Sequence, residues 1–561
     1  MKQFIMKPWL VAAVGSLAVA GLAAAGSAHA DAQLADLAQA GNDAAALKMI
    51  DAGTDVNAPQ GDGATALNWA TYRLDVGLVK ALLKHGANPN NVNSFGASPL
   101  TEAIKANNTE LVSMLLGAKA NADAANADGQ TALMLAARIG ALPIGKLLLS
   151  HGAKVNAREQ WRGQTALMWA AAQDHPDMVR LLVGHGAQVN VRAVYNDWLG
   201  KATQITSEPR AQYRPEGGLT PLFYAIRGGC QDCVETMVKA GANVNMPTPE
   251  GVTPLISAID NLHYGTAKYL LQHGANPDTW DWYGRTPLWV AVDMHSYIQR
   301  RVAGYGLATQ PNEGKAQQPD TTTAVDIVNM LLAMGADPNV QLNLHRPSHG
   351  ANNGRFTDDL IRTGCTPLLR AAMSHDNELV TLLLQHGALV DLPNVNGVTP
   401  LIGAAGMGMR GGPGAIVPDM RGDFSHDAPE KAVTTLAILL KAGANVNARV
   451  TDTSSHSARI ARASQMTERQ GQTALYGAIT RRWAPVVQFL LAHGANVGMA
   501  DDKGRTPLVA ATHGVGDRGF QPVKEIIAMI SQAAAAQKVS STAAPASLPA
   551  AQPVSHSGQP L

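Results

Sequence analysis

Two cysteines stand at a spacing with known chemistry. Cys230 and Cys233 form a Cys-x-x-Cys motif, which occurs in thiol–disulfide exchange sites and supplies ligands to zinc sites. Exchange requires an exposed thiol of lowered pKa at a helix N-terminus, and a structural zinc site requires four ligands. The residue after Cys233 is Val234, so the histidine of a c-type haem attachment site is absent. The motif favours a local disulfide or two structural cysteines, with redox activity and metal binding as alternatives.

Six histidines recur in a His-Gly-Ala motif, and imidazole is the commonest metal ligand in proteins. They are His85, His151, His185, His273, His386 and His493. Each one closes an apolar run, which is where a helix ends and where a side-chain donor satisfies the last carbonyl groups. We therefore interpret these histidines as helix ends and predict no metal site.

A glycine-rich segment from Gly406 to Gly411 matches the dinucleotide fingerprint Gly-x-Gly-x-x-Gly. That fingerprint binds pyrophosphate only between a strand and a helix of a βαβ unit, and no such unit surrounds it in this sequence. We find no nucleophile elbow, zinc-protease helix or phosphate loop either. The sequence therefore predicts no catalytic residue, no metal and no cofactor.

The motifs above belong to internal repeats. The chain has 561 residues, which is more than a single hydrophobic core usually contains, so a repetitive array is one expectation. A Gly-x-Thr-x-Leu signal recurs at ten intervals, of which seven are 33 or 34 residues and three are 55, 80 and 74 residues. Thr and Ser are good helix N-caps, Pro is tolerated at the first helical position, and Gly ends a helix. Each repeat is therefore predicted to form a helix, a turn, a second helix and a polar hairpin. The N-cap positions are Thr65, Ser98, Thr131, Thr165, Thr220, Thr253, Thr286, Thr366, Thr399, Thr473 and Thr506.

On these motifs the sequence resembles the ankyrin repeat family, whose pattern is G-x-T-P-L-H-x-A-A followed by V-x-x-L-L-x-x-G-A-x-x-N. The resemblance implies an all-α solenoid of about twelve helix-turn-helix repeats with short β-hairpin loops, over residues 31–531, and a binding scaffold without an enzymatic activity. One departure is consistent, because the family's histidine after Thr-Pro-Leu is replaced by Asn68, Met134, Trp289 and others. That histidine bonds to the neighbouring loop in the family, so we expect the order between repeats to depend more on apolar packing.

The two ends of the chain carry different signals. Lys2 and Lys7 precede an apolar run at residues 9–25 and the segment Ser27-Ala28-His29-Ala30, which together predict a signal peptide cleaved after Ala30. The mature protein is then expected in the periplasm or outside the cell, without a transmembrane anchor. Residues 532–561 are rich in Ala, Pro, Ser and Gln and predict a disordered tail.

The charge balance bears on the partner. The chain has 44 basic and 43 acidic residues, and loss of Lys2 and Lys7 leaves 42 basic residues and a formal charge of about −1. A protein that neutralises a phosphate backbone needs a clear basic excess, so we predict that nucleic acid is not the partner.

Five long insertions interrupt the array. Residues 191–217, 340–363 and 448–470 extend hairpins, whereas residues 296–322 and 406–428 separate paired helices. Loops longer than ~15 residues are uncommon unless they are functional or disordered. The hairpin insertions are therefore candidates for the function of this chain, with tolerated surface decoration as the alternative.

Aromatic and arginine residues mark the hairpins, which are otherwise polar. The binding candidates are Trp161, Arg162, Tyr195, Trp198, Trp282, Tyr283 and Arg285. Trp, Tyr and Arg dominate the energetics of interfaces, although rings at these places also pack beneath insertions. Three further tryptophans, Trp69, Trp169 and Trp289, are assigned to one equivalent position in first helices and predicted to pack between repeats.

The sequence thus predicts an exported scaffold that binds an unidentified protein partner through its concave face, hairpin tips and inserted loops. The alternative is a redox or other enzymatic function, located in the insertions or in the Cys230 and Cys233 pair.

Overall fold

Polar side chains cap the starts of the helices. In the computed structural model, which describes residues 33–196, 216–302, 321–343, 364–407, 429–451, 469–515 and 520–540, Thr131 Oγ1 accepts a hydrogen bond from the Met134 amide at 3.3 Å. Asn108 Oδ1 accepts from the Leu111 amide at 3.0 Å in the same way. These bonds satisfy amides that have no partner within the helix.

The chain divides into two compact parts, called unit 1 and unit 2. Unit 1 extends to Val194, and its described part contains five helix pairs. The helices are α1 (Gln33–Ala40), α2 (Asp43–Asp51), α3 (Ala66–Tyr72), α4 (Val76–Lys84), α5 (Pro99–Lys105), α6 (Thr109–Gly117), α7 (Ala132–Ile139), α8 (Leu142–Ser150), α9 (Ala166–Ala172) and α10 (Pro176–Gly184).

Unit 2 begins at Tyr195, and its described part contains seven helix pairs. A two-residue antiparallel ladder opens it, formed by β1 (Tyr195–Asn196) and β2 (Glu216–Gly217). The helices are α11 (Pro221–Gly228), α12 (Gln231–Lys239), α13 (Pro254–Asp260), α14 (Tyr264–Gln272), α15 (Pro287–Val302), α16 (Ala324–Ala333), α17 (Pro367–Met373), α18 (Asn377–Gln385), α19 (Pro400–Ala404), α20 (Pro429–Lys441), α21 (Ala474–Arg481), α22 (Ala484–Ala492), α23 (Pro507–His513) and α24 (Lys524–Ser540). Twelve pairs in the described parts confirm the prediction of an all-α solenoid of about twelve repeats.

Apolar packing joins consecutive repeats within each unit. The first helix of one repeat packs on the first helix of the next, as α7 does on α9, and second helices pack likewise. Small residues such as Ala136 and Ala137 are fully buried between first helices, and Leu148 and Leu182 are fully buried on the second helices. Because a single repeat cannot bury these surfaces alone, stability comes from contacts between neighbouring repeats.

The histidines of the His-Gly-Ala motif act as C-caps. In all six, Nδ1 lies 2.8 to 3.0 Å from the carbonyl oxygen four residues earlier, to which it donates. The glycine that follows is left-handed, with φ of 85° at Gly86, a conformation that other residues adopt only with strain. These contacts agree with the interpretation of the histidines as helix ends.

A two-way amide ladder also links repeats, in addition to apolar packing. Its asparagine Nδ2 atoms donate to a carbonyl of the next repeat at 2.8 to 3.2 Å, and their Oδ1 atoms accept a backbone amide of that repeat at 2.6 to 2.8 Å. The asparagines are Asn57, Asn90, Asn156, Asn245, Asn339 and Asn447. The sequence interpretation had not identified this ladder.

Other donors replace the family's histidine in three repeats, which corrects the expectation that this polar link is lost. Asn68 Nδ2 donates to the Ala97 carbonyl at 3.4 Å, Trp289 Nε1 donates to the Cys365 carbonyl at 3.1 Å, and the Tyr476 hydroxyl donates to the Arg505 carbonyl. Each acceptor immediately precedes the N-cap of the following repeat. The same register shows that Trp289 is not equivalent to Trp69 and Trp169, because it lies three residues after its N-cap and they lie four.

Two boundaries differ from the sequence interpretation. Helix α15 continues to Val302, past the start of the insertion predicted at 296–322, and α24 continues to Ser540, so residues 532–540 are helical instead of belonging to the tail. The signal segment 1–30, the end of the tail and most of the insertions lie outside the described residues. Among the helices described, none has both the length and the apolar character needed to cross a membrane.

Candidate functional site

The hairpin tips are built on one polar side chain each. Asp281 Oδ1 accepts the amides of Tyr283 and Arg285 at 3.0 and 2.9 Å, and Asn126 Oδ1 accepts the amides of Asp128 and Gln130 at similar distances. Asn and Asp favour such turns because their short side chains mimic a backbone acceptor. The tip conformation is therefore specified by the hairpin itself.

Backbone hydrogen bonds connect successive tips within a unit. In unit 1 the Gln160 amide donates to the Asp128 carbonyl at 2.9 Å. In unit 2 the Trp282 amide donates to the Glu250 carbonyl at 2.8 Å. These bonds arrange the tips as a row whose outward side chains have defined positions.

Exposed aromatic side chains concentrate on these tips. In the described part of the chain six large aromatic side chains are exposed, by between 39% and 82% of their area, and five of them lie on hairpins: Phe95, Trp161, Tyr195, Trp280 and Trp282, with Tyr72 on α3 as the sixth. Phe95 is 82% exposed and Trp161 is 77% exposed. Rings of this size normally bury most of their area, so their exposure on tips marks a contact surface.

The predicted candidates divide between this surface and the interior. Trp161, Arg162, Tyr195 and Trp282 are exposed on hairpins, in unit 1 for the first two and in unit 2 for the others. Trp198 lies outside the described residues. Trp280 is not among the predicted candidates, yet it is more exposed than Trp282.

Tyr283 and Arg285 are buried, which corrects their assignment as binding residues. Arg285 Nε donates to Asp281 Oδ2 at 2.7 Å, and Arg285 Nη1 lies 3.3 Å from Asp260. Burial alone lowers the pKa of Arg285, but the charges of Asp260 and Asp281 outweigh it and raise the pKa. Arg285 therefore holds its own hairpin together and offers no charge to a partner.

The faces of the first helices differ between the described repeats. In α3 and α9 of unit 1, Trp69 and Trp169 are half-buried, and the Arg138 guanidinium lies 5.6 Å from the Trp169 ring. In α15 and α17 of unit 2, Asp293 and Arg370 are buried. The side chains of this face are therefore partly accessible to a partner at α3 and α9 of unit 1, whereas those at α15 and α17 are not.

A buried polar cluster joins α15 to the following repeat. Asp293 accepts a hydrogen bond from Arg370 Nε, and His295 Nδ1 lies 2.6 Å from Asp376 Oδ2, which also accepts from the Ser296 hydroxyl at 3.3 Å. Asp376 in turn caps α18. These contacts hold α15 against the repeat of α17 and α18, across the stretch of chain that contains the insertions 296–322 and 340–363.

The ion pair of His295 makes the stability of unit 2 depend on pH. Burial alone lowers the pKa of His295, but the hydrogen bond to Asp376 and the charges of Asp376 and Glu378 outweigh burial and raise the pKa. A group with a raised folded-state pKa stabilises fully below its unfolded value, about 6.5 for histidine, and loses that contribution as the pH rises through the folded value.

We expect His295→Gln to cost more free energy of unfolding at about pH 5.5 than at about pH 9, because only protonated His295 pairs with Asp376. Urea titrations of the wild type and the variant at several pH values measure this difference. Gln385→Ala, an exposed substitution on α18 that changes no titratable group, is the control and should show no such trend. A cost of His295→Gln that increases with pH contradicts the ion pair.

Cys230 and Cys233 form a disulfide at the start of α12, and both residues are buried. Cys230 Sγ also accepts the Cys233 amide at 3.2 Å. Cys365 lies outside this disulfide and is fully buried. Thiol exchange requires an accessible sulfur, which neither member of the pair offers.

Alkylation counts these sulfurs directly. Of the three cysteines, we expect none to react with iodoacetamide in the native protein, only Cys365 to react in urea, and all three to react in urea after reduction. Mass spectrometry gives the three counts. Labelling of all three in urea without reductant would show that the pair is not oxidised, and labelling in the native state would show that the sulfurs are accessible.

Comparison with family models identifies the family of this chain. A family described as "Ankyrin repeats (3 copies)" matches residues 34–126, 109–193, 203–281 and 222–300, and one described as "Ankyrin repeat" matches residues 363–395 and 470–502. Among solved structures, the human ASB11 ankyrin repeat domain is 23% identical, with a TM-score of 0.35, and the match covers 44% of this chain and 98% of that chain. No curated protein gives a significant match to the sequence.

Proposed function

Since this chain belongs to the ankyrin repeat family, whose members are generally non-enzymatic interaction scaffolds, we propose that it binds a protein partner on its aromatic hairpin tips. The observation that supports these tips is the position of the exposed rings, five of six of which lie on hairpins in the described residues. Trp and Tyr supply large contact areas at low entropic cost, which suits them to interfaces.

Site-specific photo-crosslinking tests this surface. A photoreactive amino acid replaces Trp161 or Trp282 on the tips, or one of two exposed apolar residues elsewhere, Met334 at the C-cap of α16 or Val509 on α23. The second pair is called the helix positions. Irradiation of the producing cells should crosslink one protein to the tip positions and none to the helix positions. Equal crosslinking from all four positions, or none from any, would contradict the tips as the binding surface.

Export is a second part of the proposal, supported by the pattern of residues 1–30. A mature protein that begins at Asp31 would have lost Lys2 and Lys7 and the whole apolar run. N-terminal sequencing of the protein from the cell envelope should therefore start at Asp31. A start at Met1 in a cytosolic fraction would contradict export.

The redox alternative finds no comparable support. Both sulfurs of the Cys230 and Cys233 pair are buried, and an exchange reaction must bring a second thiolate into line with the disulfide. The alkylation experiment described above separates this alternative from a structural role.

A further inference from the structure

The hairpin that carries Trp161 is one residue longer than the two before it. From capping residue to glycine, the earlier hairpins span residues 93–96 and 126–129, whereas this one spans residues 159–163. The same extra residue accounts for the interval of 34 residues between Thr131 and Thr165, where the other uninterrupted intervals are 33. The longer turn has three central residues in place of two, and Trp161 and Arg162 are both exposed there.

Contacts within unit 1 hold this tip in place before any partner binds. The buried Glu159 carboxylate accepts the amides of Trp161, Arg162 and Gln164 at 2.6, 2.7 and 3.0 Å. The Trp161 indole donates to Asp128 Oδ1 on the preceding hairpin at 3.0 Å. Because the backbone and the ring are already ordered, binding here costs little conformational entropy.

The charged group that this tip offers to a partner is a guanidinium. The Glu159 carboxylate is buried and accepts the amides described above, and the Asp128 carboxylate accepts the indole. The Arg158 guanidinium donates to the Gly163 and Arg192 carbonyls and so lies along the hairpin. Arg162 is exposed and has no ion-pair partner among the described residues, which leaves one guanidinium beside one exposed indole.

We propose that this tip binds an acidic segment of the partner protein, with Arg162 pairing a carboxylate and Trp161 packing on an apolar side chain next to it. The inference rests on the proposed function and adds the chemistry of the partner. The guanidinium is planar and pairs carboxylates through two parallel hydrogen bonds. A protein segment fits better than a nucleic acid, since the chain as a whole, with 44 basic and 43 acidic residues, lacks the basic excess that a phosphate backbone requires.

A labelled peptide tests the proposal on the full chain. The probe is fluorescein-labelled Ser-Glu-Phe-Glu-Leu-Glu-Ser, with versions in which Gln or Lys replaces all three Glu, and fluorescence anisotropy measures the affinity. We expect only the Glu peptide to bind. Arg162→Glu should weaken that binding about tenfold, since it reverses one exposed ion pair, and Arg162→Lys should weaken it less. Trp161→Ala should also weaken it.

Matched substitutions elsewhere in unit 1 serve as controls. Lys84→Glu makes the same kind of charge change on an exposed position of α4, and Phe95→Ala removes an exposed ring from another tip. Both should leave the affinity for the Glu peptide unchanged. If they weaken binding as much as the variants of Trp161 and Arg162, the peptide does not recognise this tip and the proposal is wrong.

Three other results would overturn it: equal affinity for the Glu and Gln peptides, unchanged affinity in Arg162→Glu, or tighter binding of a heparin oligosaccharide or oligothymidylate than of the Glu peptide. The crosslinking experiment separates the two levels of inference. A partner crosslinked at Trp282 in equal yield with and without Arg162→Glu, together with no binding of the Glu peptide, refutes the acidic segment and leaves the scaffold function standing. No partner at any tip position refutes the proposed binding of a protein by the hairpin tips.

Discussion

Replacing Asp293 with Ala should lower the free energy of unfolding of unit 2 by about 3 to 5 kcal/mol, because it leaves the Arg370 guanidinium buried without its carboxylate. Both residues of this pair are almost completely buried, on α15 and α17. Urea titration followed by circular dichroism gives the free energy, and hydrogen exchange of the amides in α15 and α17 shows whether the loss is local.

Two further variants isolate the cause. Lys239→Ala breaks the exposed pair of Lys239 with Glu235 in the same unit and should cost less than about 1 kcal/mol. The double variant Asp293→Leu with Arg370→Met removes both charges and should recover most of the loss, since no unpaired charge stays buried. A cost for Asp293→Ala no larger than that for Lys239→Ala would contradict the structural role of the pair.

Replacing Trp289 with Ala should destabilise unit 2 by about 3 to 5 kcal/mol, the usual cost of removing a fully buried aromatic ring. Trp289 has no exposed surface, and its Nε1 donates to the Cys365 carbonyl of the next repeat. Trp289→Phe keeps most of the apolar contact and loses the donor, so it should cost about 1 kcal/mol. Comparing the free-energy costs of Trp289→Ala and Trp289→Phe separates the contribution of apolar packing from that of the hydrogen bond.

Trp280→Ala is the matched control for this prediction. It removes the same side chain from an exposed hairpin position in unit 2, and exposed substitutions of this kind cost about 0.5 kcal/mol or less. If Trp289→Ala is no more destabilising than Trp280→Ala, then Trp289 does not bridge the two repeats.

Local sequence signals predict the helices of this protein well. N-caps such as Thr131 and helix ends such as the His85 and Gly86 pair lie within a few residues of the groups they satisfy, so a pattern of one repeat contains the whole interaction. The number of repeats follows from the period. The insertion predicted at 296–322 overlaps α15, which continues to Val302.

Pairings between repeats are less visible in the sequence. Asp293 and Arg370 are 77 residues apart, across an interval of 80 residues that contains two insertions, so no spacing rule connects them. The sequence shows that Trp289 and Tyr476 stand where the family has a histidine. It does not show that both donate to the carbonyl before the next N-cap, because that contact depends on the position of the neighbouring loop. Long-range polar contacts of this kind depend on tertiary structure.

Residue type also misled the prediction of the binding surface in one hairpin. Arg285 was chosen because arginine is frequent at interfaces, yet the carboxylates of Asp281 and Asp260 are close enough to bury it as an ion pair. An aspartate four residues before the arginine is a sequence signal for a paired arginine of this kind. Asp501 and Arg505 have the same spacing as Asp281 and Arg285, and they also form an ion pair. Arg162 has no acid four residues before it, and it is exposed.

The most direct test of the scaffold account is capture of the partner by the mature protein and by a variant with Phe95, Trp161, Tyr195, Trp280 and Trp282 all replaced by Ser. A control variant replaces Leu47, Leu74, Met334, Leu389 and Val509, which are exposed apolar residues away from the tips, by Ser. The account predicts one stoichiometric partner retained by the wild type and the control variant and lost by the tip variant, with helical content unchanged in all three. Equal capture by the tip variant would contradict it.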